Sequence, residues 1–257
     1  KDLPITLFKK TGGYLAGEET TLLNVIEGKR LEPRLKPPFP YQYGLWGFPT
    51  LINNLETFYW VAKIAKGEYK GSRFYSVSRN ISKNISPVRN KISSKVRIKK
   101  VFKLPENWTI EKILKETNNY PRFDFFVQYG GGVSGEILLP GELNQKVRGQ
   151  GAIVIFDRKK TDLFSLMKKW AGFFQKENCD KCVPCREGVF RIAEMIEKKK
   201  IHPVKLSASS GRLAKRGFNR ADKKTLEDLF FVMKETSFCP LGKSAAVPFK
   251  SLVKKLL

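Results

Sequence analysis

The sequence predicts an α+β chain in three parts, and three observations carry that expectation. Residues 1–70 alternate Pro- and Gly-rich loops with two short stretches of helical periodicity. Residues 71–150 hold β-branched and aromatic runs separated by turns, the pattern of a small β-rich module. Residues 151–257 open on one apolar run, Ala152-Ile153-Val154-Ile155-Phe156, and then carry three apolar stripes at helical spacing. At 257 residues, 41% hydrophobic and 12% aromatic, the chain can bury a core and is not a disordered polyelectrolyte.

Taken in order, Ile5-Thr6-Leu7-Phe8 reads as a short strand running into Thr11-Gly12-Gly13. Over residues 18–28, Leu22, Leu23 and Ile26 recur at helical spacing and Gly28 supplies the stop. Lys36-Pro37-Pro38-Phe39-Pro40 is extended, because each Pro fixes its own φ and disfavours helix at its predecessor. Residues 54–65 read as a helix with Leu55, Tyr59, Val61 and Ile64 as packing positions. Strands are expected over 74–78, 96–104 and 125–127, a short helix over 109–116, and a loop at Gly130-Gly131-Gly132 and Gly135. From Asp162, the stripe Leu163, Leu166, Met167, Trp170 and Phe174 ends just before Cys179. A second stripe, Val189, Ile192, Ala193 and Ile196, follows Cys185, and a third, Leu226, Leu229, Phe230 and Met233, precedes Cys239. A last short helix is expected over 248–257. These are bundle-packing faces, and they put the cysteines at helix ends.

The net charge of +25 raises the question of an anionic partner. Most of it is concentrated in two stretches. Residues 79–100 hold eight Lys or Arg and no acid, and residues 198–224 hold ten with Asp222 alone. A single-stranded nucleic-acid surface interleaves aromatics with its basic residues, whereas the first stretch has none and the second only Phe218. Both read as solvated insertions in loops, and no specific nucleic acid is expected. No apolar run reaches the roughly 18 residues of a membrane helix, so no membrane insertion is expected. The start shows no secretory signal, and with Lys1 in place of Met the chain reads as a fragment.

All four cysteines fall into one pattern: Cys179-x2-Cys182-x2-Cys185, then 53 residues, then Cys239-Pro240. Thiols this close make a poor disulfide framework. A spacing of two lets successive sulfurs converge on one loop, and bacterial ferredoxins use the same triple run with a Pro after the remote cysteine. Zinc more often takes two separated pairs, so the pattern favours a [4Fe–4S] cluster. Lys181 and Arg186 beside the ligands are expected to offset the thiolate charge. There is no catalytic triad or HExxH motif, and the single histidine, His202, lies in the second basic stretch. Chemistry is therefore expected to reside in cofactors rather than in acid–base side chains.

Longer motifs resemble a known family. Gly13-Tyr14-Leu15-Ala16-Gly17-Glu18-Glu19-Thr20, Glu27-Gly28-Lys29-Arg30, Pro33-Arg34-Leu35-Lys36-Pro37-Pro38-Phe39-Pro40 and Asn53-Asn54-x-Glu56-Thr57 look like the flavin-containing NADH-oxidising subunit of respiratory complex I. The same subunit type occurs in NAD-linked hydrogenases and formate dehydrogenases. Cys179-Asp180-Lys181-Cys182-Val183-Pro184-Cys185-Arg186-Glu187-Gly188 and Ser237-Phe238-Cys239-Pro240-Leu241-Gly242 resemble its cluster-binding end. The resemblance covers residues 5–70 and 125–250.

The resemblance implies the C-terminal half of an α/β flavin domain over 1–70, a β-grasp (ubiquitin-like) module over 71–150, and a helical bundle carrying the iron–sulfur cluster over 151–257. It implies an NADH dehydrogenase subunit using FMN, NAD(H) and a [4Fe–4S] cluster, with Cys179, Cys182, Cys185 and Cys239 as ligands. Tyr14, Gly17, Glu18 and Glu19 would line the flavin and nicotinamide pocket. Lys36 and Phe39 would lie along the NADH path, with Phe39 stacking on adenine, and Asn53 and Asn54 would hydrogen-bond the flavin or its phosphate chain. Implied partners are a thioredoxin-like [2Fe–2S] subunit and a larger iron–sulfur subunit, in the cytoplasm or on the cytoplasmic face of a membrane complex. The sequence departs from the pattern in three ways. The family's glycine-rich phosphate loop lies upstream of Gly12-Gly13, Ala16 replaces a common Cys, and the 185–239 interval is longer, with its surplus in the second basic stretch. Two alternatives follow from the charge and from the missing loop: a zinc-stabilised basic module for nucleic acid, and an electron-transfer or docking relative that does not turn over NADH.

Overall fold

A computed structural model of the chain describes residues 4–80, 96–201 and 217–257. The two basic stretches fall largely outside these residues, as do His202 and residues 207–211.

The first segment is a loop-rich arm with two helices, α1 (Glu19–Ile26) and α2 (Leu55–Ala65). Glu18 caps α1, its carboxylate accepting from the amides of Thr20 and Thr21 at 3.0 and 2.8 Å. Asn54 caps α2 through the Glu56 amide at 2.9 Å. Such caps satisfy donors that the first helical turn leaves open. Two expectations fail here. Residues 5–8 form no strand: they have no sheet partner, and Ile5 and Leu7 are 85% and 95% exposed. Of the packing positions expected on α2, Leu55, Val61 and Ile64 are uncovered while Tyr59 packs on Phe74 at 5.4 Å, and none of the helix's residues is buried. Its attachment to the next module also runs through Trp60, which packs on Phe74, and through Glu56, which accepts from the Phe74 amide at 3.2 Å.

The middle of the chain builds a five-stranded mixed sheet from β1 (Ser72–Asn80), β2 (Val96–Pro105), β3 (Phe125–Gly130), β4 (Glu136–Leu138) and β5 (Gln150–Asp157), with α3 (Ile110–Glu116) between β2 and β3. The strand order is β2-β1-β5-β3-β4, with β1 and β5 parallel at the centre and the other pairs antiparallel. A hairpin, a helix packed on one sheet face, and first and last strands parallel at the centre is the β-grasp arrangement. Because β5 lies between β1 and β3, the sheet reaches past residue 150 into the stretch assigned from sequence to the helical part. An apolar run reveals burial but not which layer buries it.

Strand alternation gives the sheet two working faces. Tyr75, Val77, Phe125, Val127, Ile153 and Ile155 pack with Ile110, Ile113 and Leu114 of α3. Phe126, Ile137 and Phe156 join the opposite core, with Phe126 and Phe156 stacked at 4.9 Å. That second core is the interface with four helices: α4 (Leu163–Glu177), α5 (Val183–Ile201), α6 (Arg220–Thr236) and α7 (Pro240–Leu256). The apolar stripes read from sequence supply its centre, with Met167, Trp170, Phe174, Val189, Ile192, Ile196, Leu226, Phe230 and Met233 all buried. One helix is longer than expected. α7 begins at Pro240 and carries Pro248 inside it, whereas the sequence suggested a start at 248. Pro240 suits the first helical position, where no amide partner is needed. Ser251, one turn after Pro248, donates to the Val247 carbonyl at 2.9 Å and accepts from the Ile137 amide at 3.0 Å, tying α7 to the sheet.

Candidate metal centre and its surroundings

Three helix termini deliver the four thiols. α4 stops at Glu177, and Asn178 turns the chain by accepting from the Asp180 amide at 3.1 Å. Asp180 takes a left-handed conformation (φ 60°), which an acidic side chain tolerates better than most, and Arg186 donates back to its carbonyl at 3.2 Å. α5 then begins: the Cys182 carbonyl accepts from the Arg186 amide at 3.1 Å, and Cys185 lies in the first turn. Cys239 is the N-cap of α7, its carbonyl accepting from Lys243 at 3.3 Å. Gly242 lets the two helix starts meet, because a Cβ there would lie 3.0 Å from the Cys185 Cβ and 2.5 Å from the Ser237 hydroxyl.

The late cysteine therefore returns to the early three. All four are free thiols; Cys182, Cys185 and Cys239 are buried and Cys179 is half-buried. Burial pushes the Cys185 thiol up to about 12, with Cys182, Cys239 and Cys179 adding to the shift. Burial also raises Cys239, against the amides of Gly242 and Leu241, which favour its thiolate. Cys179 is raised by burial and by Cys182, against the Lys181 amide. Cys179, Cys182 and Cys239 each disfavour ionisation of a neighbouring thiol, a costly set without a cation, so metal binding must displace protons and is favoured by rising pH.

The donor set fits a cluster better than a single ion. Three cysteines spaced by two residues, joined by one remote cysteine followed by Pro, are the donor pattern of an iron–sulfur cube that takes one thiolate per iron, whereas zinc more often takes two separated pairs. The buried Ser237 hydroxyl beside Gly242 has no hydrogen-bond partner among the described residues, which leaves a donor available to a sulfur next to Cys185. Lys181 stands beside the cysteine loop with a partner of its own: its ammonium lies 2.9 Å from Glu32 and 3.0 Å from the Pro33 carbonyl, so its charge is shared with an acid.

The residues proposed for flavin and NADH are partly brought together. Lys36 bridges Glu19 and Glu18, lying 3.5 Å from the latter. Burial alone would lower the Lys36 pKa, but the two acids outweigh it and hold the ammonium above its ordinary value. One Glu18 oxygen is fully engaged by Thr20 and Thr21, leaving the other toward Lys36. Gly17 precedes Glu18 at the end of a 3-10 turn and is exposed. Tyr14 packs edge-on against Phe173 of α4 at 5.1 Å, and its amide donates to Glu177. Phe39 stacks on Tyr41 with ring centroids 5.6 Å apart. Asn53 and Asn54 are exposed at the start of α2, and Asn54 serves as its cap. Sequence reasoning missed Glu32, Glu177 and Ser237 as neighbours of these sites. Ser237 carried a signal in its place two residues before Cys239, but Glu32 and Glu177 act across about 150 residues of chain.

Four buried or half-buried cysteines at helix termini, set behind a β-grasp sheet, mark an iron–sulfur-binding domain as the class of this region. Residues 165–256 match the family described as the NADH-ubiquinone oxidoreductase-F iron-sulfur binding region. The chain is a relative of the F-type subunit of NADH-quinone oxidoreductase. It is 32% identical to the Aquifex aeolicus protein over 215 residues, covering 77% of this chain and 47% of the relative. To the Buchnera aphidicola protein it is 32% identical over 269 residues, covering 96% and 55%. Its fold superposes on a chain of the NAD+-reducing [NiFe]-hydrogenase in the H2-reduced state with a TM-score of 0.75 at 26% identity, covering 95% of this chain and 40% of that one. The chain thus spans about half the length of the curated relatives it matches. Among the described residues no helix is long and apolar enough to cross a membrane.

Proposed function

We propose that this chain is the cluster-bearing and nicotinamide-side part of an NADH:acceptor oxidoreductase subunit. In this reading Cys179, Cys182, Cys185 and Cys239 hold a [4Fe–4S] cluster, while Tyr14, Gly17, Glu18, Glu19, Lys36, Phe39, Asn53 and Asn54 border FMN and NADH. When bound, FMN accepts hydride from NADH and the cluster passes electrons singly to another subunit. The chain's own residues hold and orient. The Lys36 ammonium is shared between two carboxylates, and Glu19, the more exposed of the two acids, keeps one oxygen not engaged by Lys36 to accept ribose or carboxamide donors. The Phe39–Tyr41 pair presents a flat aromatic surface, both rings being exposed, on which adenine can stack. The partners are other subunits of an NADH dehydrogenase or hydrogenase complex: a thioredoxin-like [2Fe–2S] subunit and a larger iron–sulfur subunit, at the cytoplasmic side.

The observation that carries this reading is the meeting of four thiols from three helix termini in one buried neighbourhood. Anaerobic incubation with iron and sulfide should give a brown chain with about four iron and four sulfide per molecule. Cys239→Ser should lower both counts. A colourless product holding one zinc per chain would refute the assignment.

A further inference from the structure

We propose that Arg30, Glu32 and Lys181 form a positioning triad that pins the cysteine loop to the flavin-side segment and sets the potential at which the neighbouring cluster accepts an electron. This rests on the reading of Cys179, Cys182, Cys185 and Cys239 as cluster ligands.

The loop from Asn178 to Cys182 is held from two directions. Within the helical domain, Asn178 and Arg186 fix Asp180. From the other side come groups about 150 residues away in sequence. Arg30 donates to the Cys179 carbonyl at 3.3 Å, and its guanidinium lies 3.5 Å from Glu32. Lys181 reaches Glu32 at 2.9 Å and the Pro33 carbonyl at 3.0 Å. The Lys181 and Glu32 side chains are only 27% and 23% exposed, so their charges are less screened than those of a surface pair. Cys179 is the least buried of the four thiols, and the Glu32 carboxylate acts on it electrostatically.

The triad carries two cations and one anion next to a centre that gains one negative charge when reduced. No proton or bond changes hands in the triad itself. An anion beside such a centre disfavours its reduced state, and a cation favours it. Glu32 therefore holds the potential down while Lys181 and Arg30 hold it up, and their pairing limits the net field. A triad that only secured the loop would act through geometry, and removing either member would disturb the ligand in the same way.

That difference in sign gives the test. The full chain is reconstituted with iron and sulfide, and its potential is measured by redox titration with electron paramagnetic resonance of the reduced state. Glu32→Gln should raise the potential, and Lys181→Met and Arg30→Gln should each lower it. Combining Glu32→Gln with Lys181→Met should give a value between those of the two single changes, and Lys181→Arg should match the wild type. Two cation positions are tested, so poor folding of Lys181→Met or Arg30→Gln still leaves the other to set against Glu32→Gln, and the double variant gives a second reading of the Glu32 change. Unchanged potentials, or shifts in one direction for Glu32→Gln and Lys181→Met alike, would overturn the proposal while leaving the cluster reading in place. A wild-type chain that takes up no iron would overturn both.

Discussion

Glu27 illustrates what a single residue contributes when its neighbourhood is complete. Its side chain is 3% exposed beside Lys29 and Arg34, and it accepts from the Trp46 amide at 2.8 Å. Burial would raise its pKa, but Lys29, Arg34 and the amide outweigh burial and lower it from 4.5 to about 2. A folded-state value below the unfolded one means stability that is fully present above pH 4.5 and is lost as pH falls toward 2. Glu27→Gln should remove that contribution and leave Arg34 half-buried with a weaker partner, at a cost of about 1–3 kcal/mol at neutral pH. In denaturant titrations at several pH values, the gap between wild type and variant should be constant above pH 4.5 and narrow below it. A gap that stays constant down to pH 2 would show that the carboxylate is not the source. This residue fixes the loop that carries Arg30 and Glu32, so the same measurement reports on the frame of the triad.

At the scale of elements, the meeting of the starts of α5 and α7 decides whether four thiols become one site. Gly242 is the point of closest approach: a methyl there would run into Ser237 and press on Cys185. Gly242→Ala should destabilise the fold by about 1–3 kcal/mol through overpacking. It should also lower iron uptake more than Gly172→Ala, a change on α4 where a Cβ meets nothing within 4 Å. Equal iron content in the two variants would sink the argument. Much of this architecture was legible in the residues. The stripes ending at Phe174, beginning at Val189 and ending at Met233 placed three helices correctly, because a period of 3.6 is a property of one helix alone. Pro248 misled, since a proline inside a helix reads as a start unless Cys239-Pro240 is recognised as the earlier cap and first turn. Leu55, Val61 and Ile64 look like packing positions because amphipathicity names a face without naming what covers it. The link between Lys181 and Glu32 had no local signal at all, since ion pairs across 149 residues depend on tertiary placement.

For the molecule as a whole, order and exposure are unevenly divided. The sheet and the four C-terminal helices share a continuous core, while the arm before residue 67 exposes Leu7, Trp46, Phe48, Leu51, Leu55 and Ile64. This arm also carries all the residues proposed to border FMN and NADH, and the chain matches only about half the length of its relatives. The apolar surface points to one physical expectation: the sheet and helical bundle are self-sufficient in core, and the arm is not. Heating should accordingly reveal two stages, an early loss of structure in the arm and a later cooperative transition of the sheet and bundle. Hydrogen exchange is the direct check. Amides of α2 should exchange far faster than those of α4 and α7, and FMN added to this chain should slow them little. Supplying the remaining half of a relative's sequence, fused or as a separate polypeptide, should protect α2 and raise FMN affinity together. If α2 is already protected as strongly as α7, or if FMN alone protects it fully, the division of the molecule into a well-packed sheet and bundle and a thinly covered arm is wrong.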